Sequence, residues 1–228
     1  MLKLENICKS YPNKSILDHF SLEIESGNIT CLLGPSGIGK TTILKIISGL
    51  TDYEGAIIDP PKKIAYIFQE DRLLFNRTVY ENLTFVLEHP DPNEIVRVLQ
   101  LLEIESKKDA YPDELSGGEA KRVAIARAFL YGGDLLLMDE PFTSLDYLLK
   151  QRLIEALVKL WQEKKTTVLV VTHDLDEALL LGGKIVVLGK GGSKEEFVLD
   201  APFPRKEIDF SMRQAIINAL IESERNST

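Results

Sequence analysis

The stretch from Gly34 to Thr41, GPSGIGKT, constrains the fold more than any other part of this chain. It follows a short apolar run, ITCLLG (29–34), and opens a segment with apolar residues at helical spacing, KTTILKIISGL (40–50). Closely wrapped glycines point N–H groups at phosphate oxygens, and a helix N-terminus adds the positive end of its dipole. The pattern predicts a phosphate-binding turn, with Lys40 on the β- and γ-phosphates and the Thr41 hydroxyl on Mg²⁺. The simpler interpretation is a glycine turn without a ligand.

The rest of the chain predicts an α/β domain. Short runs rich in Ile, Val and Leu are expected to form buried strands: KIAYIFQ (63–69), DLLLMDE (134–140), TTVLVVTHD (166–174) and GKIVVLG (183–189). Their hydrophobicity is continuous rather than alternating, which suits strands covered on both faces of a parallel sheet. KQRLIEALVKLWQEK (150–164) lies between two of these runs and has an apolar helical stripe, so strands and helices alternate.

Two regions depart from this alternation. Residues 70–130 contain three helical segments, the first at TVYENLTFVLEH (78–89), and no clear strand. We therefore expect a helical lobe inserted into a core made of residues 1–69 and 131–228. The first ~25 residues and the 55–60 region are strand-like and rich in turns, which predicts a small antiparallel sheet. A last helix is expected at SMRQAIINALIES.

Composition narrows the class of protein. The net charge of −8 argues against a nucleic-acid partner, because such proteins usually present a basic face. No apolar run approaches the ~18–20 residues needed to cross a bilayer, and the polar N-terminus does not resemble a secretory signal. The chain is therefore expected in the cytoplasm unless a partner holds it at a membrane. Cys8 and Cys31 are expected to be reduced and packed in the core.

An acidic pair ends one of the predicted strands. LLLMDE (135–140) is apolar up to Asp139 and Glu140. A strand end beside the phosphate loop is where this class of site holds an acid for Mg²⁺, so Asp139 is predicted to hold the ion. Glu140 next to the γ-phosphate can polarise an attacking water as a general base. The alternative is a strand that ends in a solvated acidic turn.

A second glycine-rich stretch, LSGGE (115–119), requires a different explanation. It lacks the lysine and the preceding strand of the first loop, but it opens the helix EAKRVAIARAFLY. Ser116, Gly117 and Gly118 thus offer a hydroxyl and bare backbone at a helix N-terminus, which is an anion site. The simpler interpretation is a capped helix after a turn.

These motifs, taken in order from Tyr11 to about Gly189, resemble the nucleotide-binding subunit of an ATP-binding-cassette (ABC) transporter. The remaining matches are Gln69 in IFQED, SLD (144–146) and His173 in VTHD. The resemblance implies a single ATPase domain over residues 1–228, with a P-loop NTPase core of the RecA-like type. It also implies a head-to-tail dimer of two copies that sandwiches two ATP molecules, with the LSGGE of one chain facing the phosphate loop of the other.

The resemblance also implies roles for individual residues. Catalysis would involve Glu140, His173 as the γ-phosphate histidine, Gln69 and Lys40, and the metal would lie near Thr41, Gln69 and Asp139. Tyr11 would stack on adenine, and Asp146 would lie in the loop that crosses the dimer interface. The full set of implied nucleotide contacts is Tyr11, Gly34, Pro35, Ser36, Gly37, Ile38, Gly39, Lys40, Thr41, Thr42, Ser116, Gly117, Gly118 and Asp146.

One segment is similar to a particular subgroup of the family. YIFQEDRLLFNRTVYENL (66–83) resembles importers of nitrate, sulfonate, taurine and related small solutes. That subgroup usually has Pro-Trp where this chain has Phe75-Asn76, and glutamine is common where it has Lys121. The resemblance implies integral membrane permease subunits as partners, a solute-binding protein as an indirect partner, and a location at the cytoplasmic face of the cell membrane.

Other functions remain open at this level. An ABC exporter ATPase subunit is the nearest alternative. A soluble ABC protein of ribosomes or DNA generally carries two cassettes or a long coiled-coil insertion, and neither is present here. A small-molecule kinase would not need LSGGE, and a non-catalytic regulatory module would be expected to lack Glu140 or His173.

Overall fold

A computed structural model describes residues 1–12, 14–143, 145–199, 203, 205 and 209–225. The strands are β1 (Leu2–Tyr11), β2 (Lys14–Ile24), β3 (Ile29–Leu33), β4 (Glu54–Ile58), β5 (Ile64–Ile67), β6 (Leu135–Asp139), β7 (Thr167–Val171), β8 (Lys184–Leu188) and β9 (Lys194–Val198). The α-helices are α1 (Lys40–Ile47), α2 (Val79–Thr84), α3 (Pro92–Leu101), α4 (Gly117–Tyr131), α5 (Tyr147–Lys164), α6 (Leu175–Leu181) and α7 (Phe210–Arg225). Short 3₁₀ turns lie at Glu105–Lys107, Pro112–Glu114 and Lys190–Gly192.

A mostly parallel sheet forms the centre of the molecule, with strand order β5-β6-β7-β3-β8-β9. All of its neighbouring strands pair in parallel except β8 and β9. Every residue of β3, β6 and β8 is buried, as strands covered on both faces require. The smaller sheet, with order β2-β1-β4, is antiparallel. The predicted α/β class with its two sheets is confirmed.

The parallel sheet separates two apolar cores. On one face, β1, β2 and α1 pack against Leu32, Leu137 and Val171. On the other face, α3, α4, α5 and α6 cover the alternate residues of the same strands, such as Leu33 and Met138. Between β5 and β6 the described residues form the helices α2, α3 and α4. No helix in the described parts of the chain is both long and apolar enough to cross a membrane.

Some elements differ from the sequence expectations. The helix predicted over residues 78–89 ends at Thr84, whose hydroxyl donates to the Glu81 carbonyl and competes with continuation of the helix. Neither α6 nor β9 was predicted, and β9 has a charged KEEFV sequence that stays mostly exposed at the sheet edge. Cys31 is buried as expected, but the expectation for Cys8 was wrong, because this thiol is only partly buried.

Strand β6 supplies a test of the packing that supports the site. Leu137 has no exposed surface, so Leu137→Ala is expected to lower the free energy of unfolding by about 2–5 kcal/mol through lost burial and a residual cavity. Urea denaturation measures this change. In the control Leu50→Ala, where the side chain is 58% exposed, the change should stay within about 0.5 kcal/mol. Equal effects of the two substitutions would contradict the packing described for β6.

Candidate ATP site

The turn that follows β3 depends on glycines. Gly37 and Gly39 have φ angles of 75° and 116°, which side chains rarely adopt. A Cβ added at Gly39 would lie 2.8 Å from the Cγ2 of Ile16. The loop therefore closes tightly against β2, and α1 begins directly at Lys40. The loop therefore leads directly into a helix N-terminus, which favours the binding of a phosphate.

Lys40 lies inside this loop and is 6% exposed. Its ammonium donates to the carbonyls of Gly34 at 2.7 Å and Pro35 at 2.9 Å. Burial lowers the pKa of Lys40, and the negative charges of Glu140 and Asp139 act against that shift. An ammonium has three N–H groups, so two bonds fix its position while one remains for a further acceptor.

The loop is joined to β6 by one short contact. The Thr41 hydroxyl donates to Oδ1 of Asp139 at 3.0 Å. Burial raises the pKa of Asp139, while the hydrogen bond from Thr41 lowers it in part. A hydroxyl and a carboxylate are oxygen donors of the kind that Mg²⁺ prefers.

Glu140 follows Asp139 directly after β6. Its φ of 46° is uncommon for a residue with a side chain, and such strain clusters at functional sites. Its Oε1 lies 3.3 Å from Nδ1 of His173, whose side chain is 58% exposed. Its Oε2 accepts from the Thr143 hydroxyl at 3.2 Å, a contact that the sequence did not indicate. The carboxylate is thus held from two sides.

A polar network, buried at Thr172 and Glu177, holds the turn that carries His173. The Thr172 hydroxyl donates to Glu177 at 2.6 Å and accepts from the Asp174 amide at 3.0 Å. Lys150 of α5 forms ion pairs with Asp174 at 2.8 Å and with Glu177 at 2.7 Å. Sequence reasoning missed this network. Its only local signal is the run of polar residues after β7.

The phosphate loop, Gln69 and Glu140 line an open cleft of about 530 Å³, whereas Asp139 and His173 are not among its lining residues. Its lining residues are Lys14, Ile16, Ser36, Gly37, Gly39, Lys40, Thr41, Thr42, Gln69 and Glu140. Lys14 and Ile16 were not predicted, since they reach the cleft through the antiparallel sheet rather than through a motif. The structure therefore brings the loop, Gln69 and the acidic strand end together.

Other predicted site residues do not line this cleft. Tyr11 is 42% exposed on β1, and the Lys9 ammonium lies 5.0 Å from its ring centre. Ser116 caps α4, where its Oγ accepts from the Glu119 amide, and both Ser116 and Gly117 are exposed. Asp146 caps α5 by accepting from the Leu149 amide at 3.0 Å. Ser144 of the SLD motif lies outside the described residues.

Known proteins share this architecture. Residues 17–143 match the family model described as ABC transporter. The aliphatic sulfonates import ATP-binding protein SsuB of Granulibacter bethesdensis is 39% identical over 210 residues, covering 92% of this chain and 88% of that protein. The protein of the same name from Bacillus cereus (strain ZK / E33L) is 39% identical over 212 residues, covering 87% and 84%.

Solved structures of ATP-binding cassettes also have a fold similar to that of this chain. The dimeric ATP-binding cassette MJ0796, in a post-hydrolysis state bound to ADP and Pi, has a TM-score of 0.77 at 31% identity, covering 89% of this chain and 100% of that one. An ATP-binding subunit of an ABC transporter has a TM-score of 0.81 at 26% identity, covering 98% and 99%.

A parallel sheet that ends in a lysine-centred glycine loop, with an acidic strand beside it, defines a P-loop nucleotide-binding protein. The family match and the sequence identities are more specific. The chain belongs to the ABC transporter family. It is therefore an ATPase of that family, as the sequence resemblance predicted.

The buried carboxylate suggests a test on the nucleotide-free chain. Because burial raises the pKa of Asp139 above the ordinary 3.8, its charged form opposes folding at neutral pH. Asp139→Asn keeps an acceptor for Thr41 and removes the charge, so its melting temperature should exceed the parent's at pH 7.5. The difference should shrink as the pH falls towards 4, where the parent carboxyl takes up its proton.

Differential scanning fluorimetry across this pH range measures the effect. The control is Asp113→Asn, which changes an exposed carboxylate and should have little effect at any pH. Magnesium ATP should raise the melting temperature of Asp139→Asn less than that of the parent. A nucleotide-free Asp139→Asn variant that melts below the parent at pH 7.5 would contradict this electrostatic account.

Proposed function

We propose that this chain hydrolyses ATP at a site shared with a second copy of itself. Hydrolysis would power uptake of a small organic sulfonate or related oxyanion through separate membrane permease subunits. The observation that carries the proposal is the Glu140–His173 pair, 3.3 Å apart, with Glu140 lining the cleft that Lys40 also lines. Ser116 and Gly117 of LSGGE are exposed, and no residue of this motif lines that cleft. Each chain thus needs a partner's signature to complete its site.

Phosphate binding is assigned to the loop from Gly34 to Thr42. The backbone amides there face the α- and β-phosphates, and Lys40 uses its remaining N–H on the β- and γ-phosphates. The glycines fit this role because a Cβ at Gly39 would already be obstructed by Ile16. Tyr11, exposed on β1, is assigned to the adenine ring.

The catalytic step is assigned to three side chains at the edge of the sheet. Glu140 accepts a proton from the attacking water, and the contacts from Thr143 and His173 hold its carboxylate in place. His173 donates to a γ-phosphate oxygen. Gln69 lines the cleft and orients the water. All three act on the same phosphoryl group from different sides.

Magnesium is assigned to Thr41, Asp139 and Gln69. The first two side chains already lie in contact at 3.0 Å, and all three supply the oxygen donors that this ion prefers. When bound, Mg²⁺ neutralises charge that develops on the phosphate oxygens. The residues present therefore fit the ion.

The second copy would supply Ser116, Gly117 and Gly118. Ser116 accepts from the Glu119 amide and is exposed, so its hydroxyl is assigned as a donor to a phosphate of the partner's ATP. These groups also lie at the N-terminus of a 15-residue helix, which favours an anion. Asp146, at the exposed start of α5, is assigned to the interface between the two copies.

Transport is inferred from the names of the relatives and from one exposed segment. The two relatives compared above are named for import of aliphatic sulfonates, which favours import over export. Phe75 is 76% exposed, and Asn82, which is fully buried, holds its turn with hydrogen bonds to Leu74 and Arg77. A rigid turn with an exposed aromatic tip suits a permease contact at the cytoplasmic face of the membrane. A solute-binding protein is expected as an indirect partner and nucleic acid is not.

The division of the single ATPase domain is also part of this proposal. Residues 1–69 and 131–228 form the core that holds the phosphate loop, and residues 70–130 form the lobe that carries the signature.

Glu140→Gln tests the catalytic assignment. The change keeps the size and removes the basic carboxylate, so hydrolysis should fall by ~10²–10⁴-fold while ATP still binds. The trapped nucleotide should then hold two chains together. Size-exclusion chromatography is expected to show a dimer with magnesium ATP and a monomer with ADP.

The control is Glu155→Gln, on the exposed face of α5, which should behave like the parent. Parental hydrolysis in Glu140→Gln would remove that residue from the catalytic role. An inactive variant that stays monomeric in saturating ATP would contradict the shared site.

The exposed turn is tested by crosslinking. A photo-crosslinking amino acid at Phe75 should capture a permease subunit when the complete transporter is assembled in membranes. The same probe at Phe210 of α7, which is 77% exposed, serves as the matched control and should not. Capture from position 210 alone, or from neither position, would contradict a permease contact at this turn.

A further inference from the structure

Lys121 is a buried cation within the helical lobe. It lies one turn into α4 and is 5% exposed. Its ammonium donates to the Gln69 carbonyl at 2.8 Å and to the Phe68 carbonyl at 3.3 Å. It also forms an ion pair of 2.8 Å with Asp71. Two hydrogen bonds and one ion pair therefore tie the ammonium to the segment that follows β5, although the Oδ1 of Asp71 accepts no hydrogen bond.

A second cation from the same helix contacts the end of that segment. Arg127 donates to the carbonyls of Arg72 at 2.9 Å and Asp71 at 3.1 Å. Residues 68–72 have neither helix nor strand, so their backbone carbonyls have no regular ladder to join. Their position depends on donors from α4.

We propose that Lys121 is a positioning residue for ATP hydrolysis, because it fixes the backbone that presents Gln69 to the cleft. The proposal rests on the function assigned to Gln69 above. Gln69 is exposed and lines the cleft, while its own carbonyl lies 2.8 Å from the lysine. The side chain that faces the nucleotide is thus placed by a contact on the opposite side of the same residue.

Lys121 differs from a neutral hydrogen-bond donor because its positive charge also pairs with the Asp71 carboxylate. Glutamine at this position would donate to the two carbonyls but would remove the ion pair with Asp71 and leave Arg127 as the nearby positive charge. The Asp71 side chain is 24% exposed, so a carboxylate that has lost this ion pair would be pulled towards water and would draw the segment with it. Lys121 and Asp71 therefore act as a matched pair.

Lys121→Met tests this role, since it keeps the length of the side chain and removes its charge and donors. The kcat should fall on the order of 10-fold to 100-fold, as expected for a misplaced catalytic group. The Kd for a fluorescent ATP analogue should change by less than about threefold, since Lys40 and Thr41 are untouched. Lys159→Met, an exposed position on α5, is the control and should leave both values at the parental level.

A double-mutant cycle separates positioning from a structural effect. On a Gln69→Ala background, Lys121→Met should cause no further loss of kcat, because the side chain it positions is absent. If Lys121→Met does not fold, Lys121→Gln combined with Asp71→Asn removes both charges, keeps a donor for the carbonyls, and should recover most of the parental kcat.

Three results with Lys121→Met would overturn the proposal: parental kcat in the folded variant, a loss of equal size on both backgrounds, or an equal loss in kcat and ATP affinity. Parental kcat in Gln69→Ala would also overturn it. If Gln69→Ala keeps the parental kcat while Glu140→Gln is inactive, the positioning role of Lys121 is wrong but the proposed ATPase function is not contradicted. An active Glu140→Gln would instead count against the proposed catalytic site.

Discussion

The site depends on the parallel pairing of β6, β7 and β3. In register, Asp139 lies opposite Val171, and Val171 lies opposite Leu32. The three strands therefore end at the same level, and the residues that follow them leave the sheet side by side. This edge, outside the carboxyl ends of parallel strands, is where α/β folds bind ligands. The glycine loop, Glu140 and His173 meet there because hydrogen-bonded neighbouring strands deliver them.

At this edge of the sheet, the charges of Lys40 and Asp139 are only partly neutralised by neighbouring groups of the protein. Burial lowers the pKa of Lys40 and raises that of Asp139, so both charges are disfavoured in the chain alone. A polyphosphate with a divalent cation supplies the missing counter-charges, so binding is expected to stabilise the fold as well as to prepare the reaction. The backbone of Glu140 is strained in the same way: its positive φ costs local stability and fixes the position of the carboxylate at the site.

Much of this fold and site could be predicted because the signals are local. The loop from Gly34 to Thr41, the apolar strand before Asp139 and the capped helix after Ser116 are each encoded within a few neighbouring residues. The contacts of Lys121 with Asp71 and of Lys150 with Glu177 could not be predicted, since long-range pairs leave no periodicity in the sequence. The charged edge strand β9 and the partial burial of Cys8 were not predicted for a related reason. Their environment is set by neighbouring strands and not by their own pattern.

The central claim is that one ATP site needs two chains, and subunit mixing tests it most directly. Lys40→Ala damages the phosphate loop, whereas Gly117→Glu places a repelling charge in the signature at a position where a Cβ meets no atom within 4 Å. Each variant alone should be inactive, since both of its sites are damaged. A mixture forms some dimers with one intact site, made from the signature of the first variant and the loop of the second. The account predicts ATPase activity in the mixture well above the sum of the separate variants, and activity equal to that sum would contradict it.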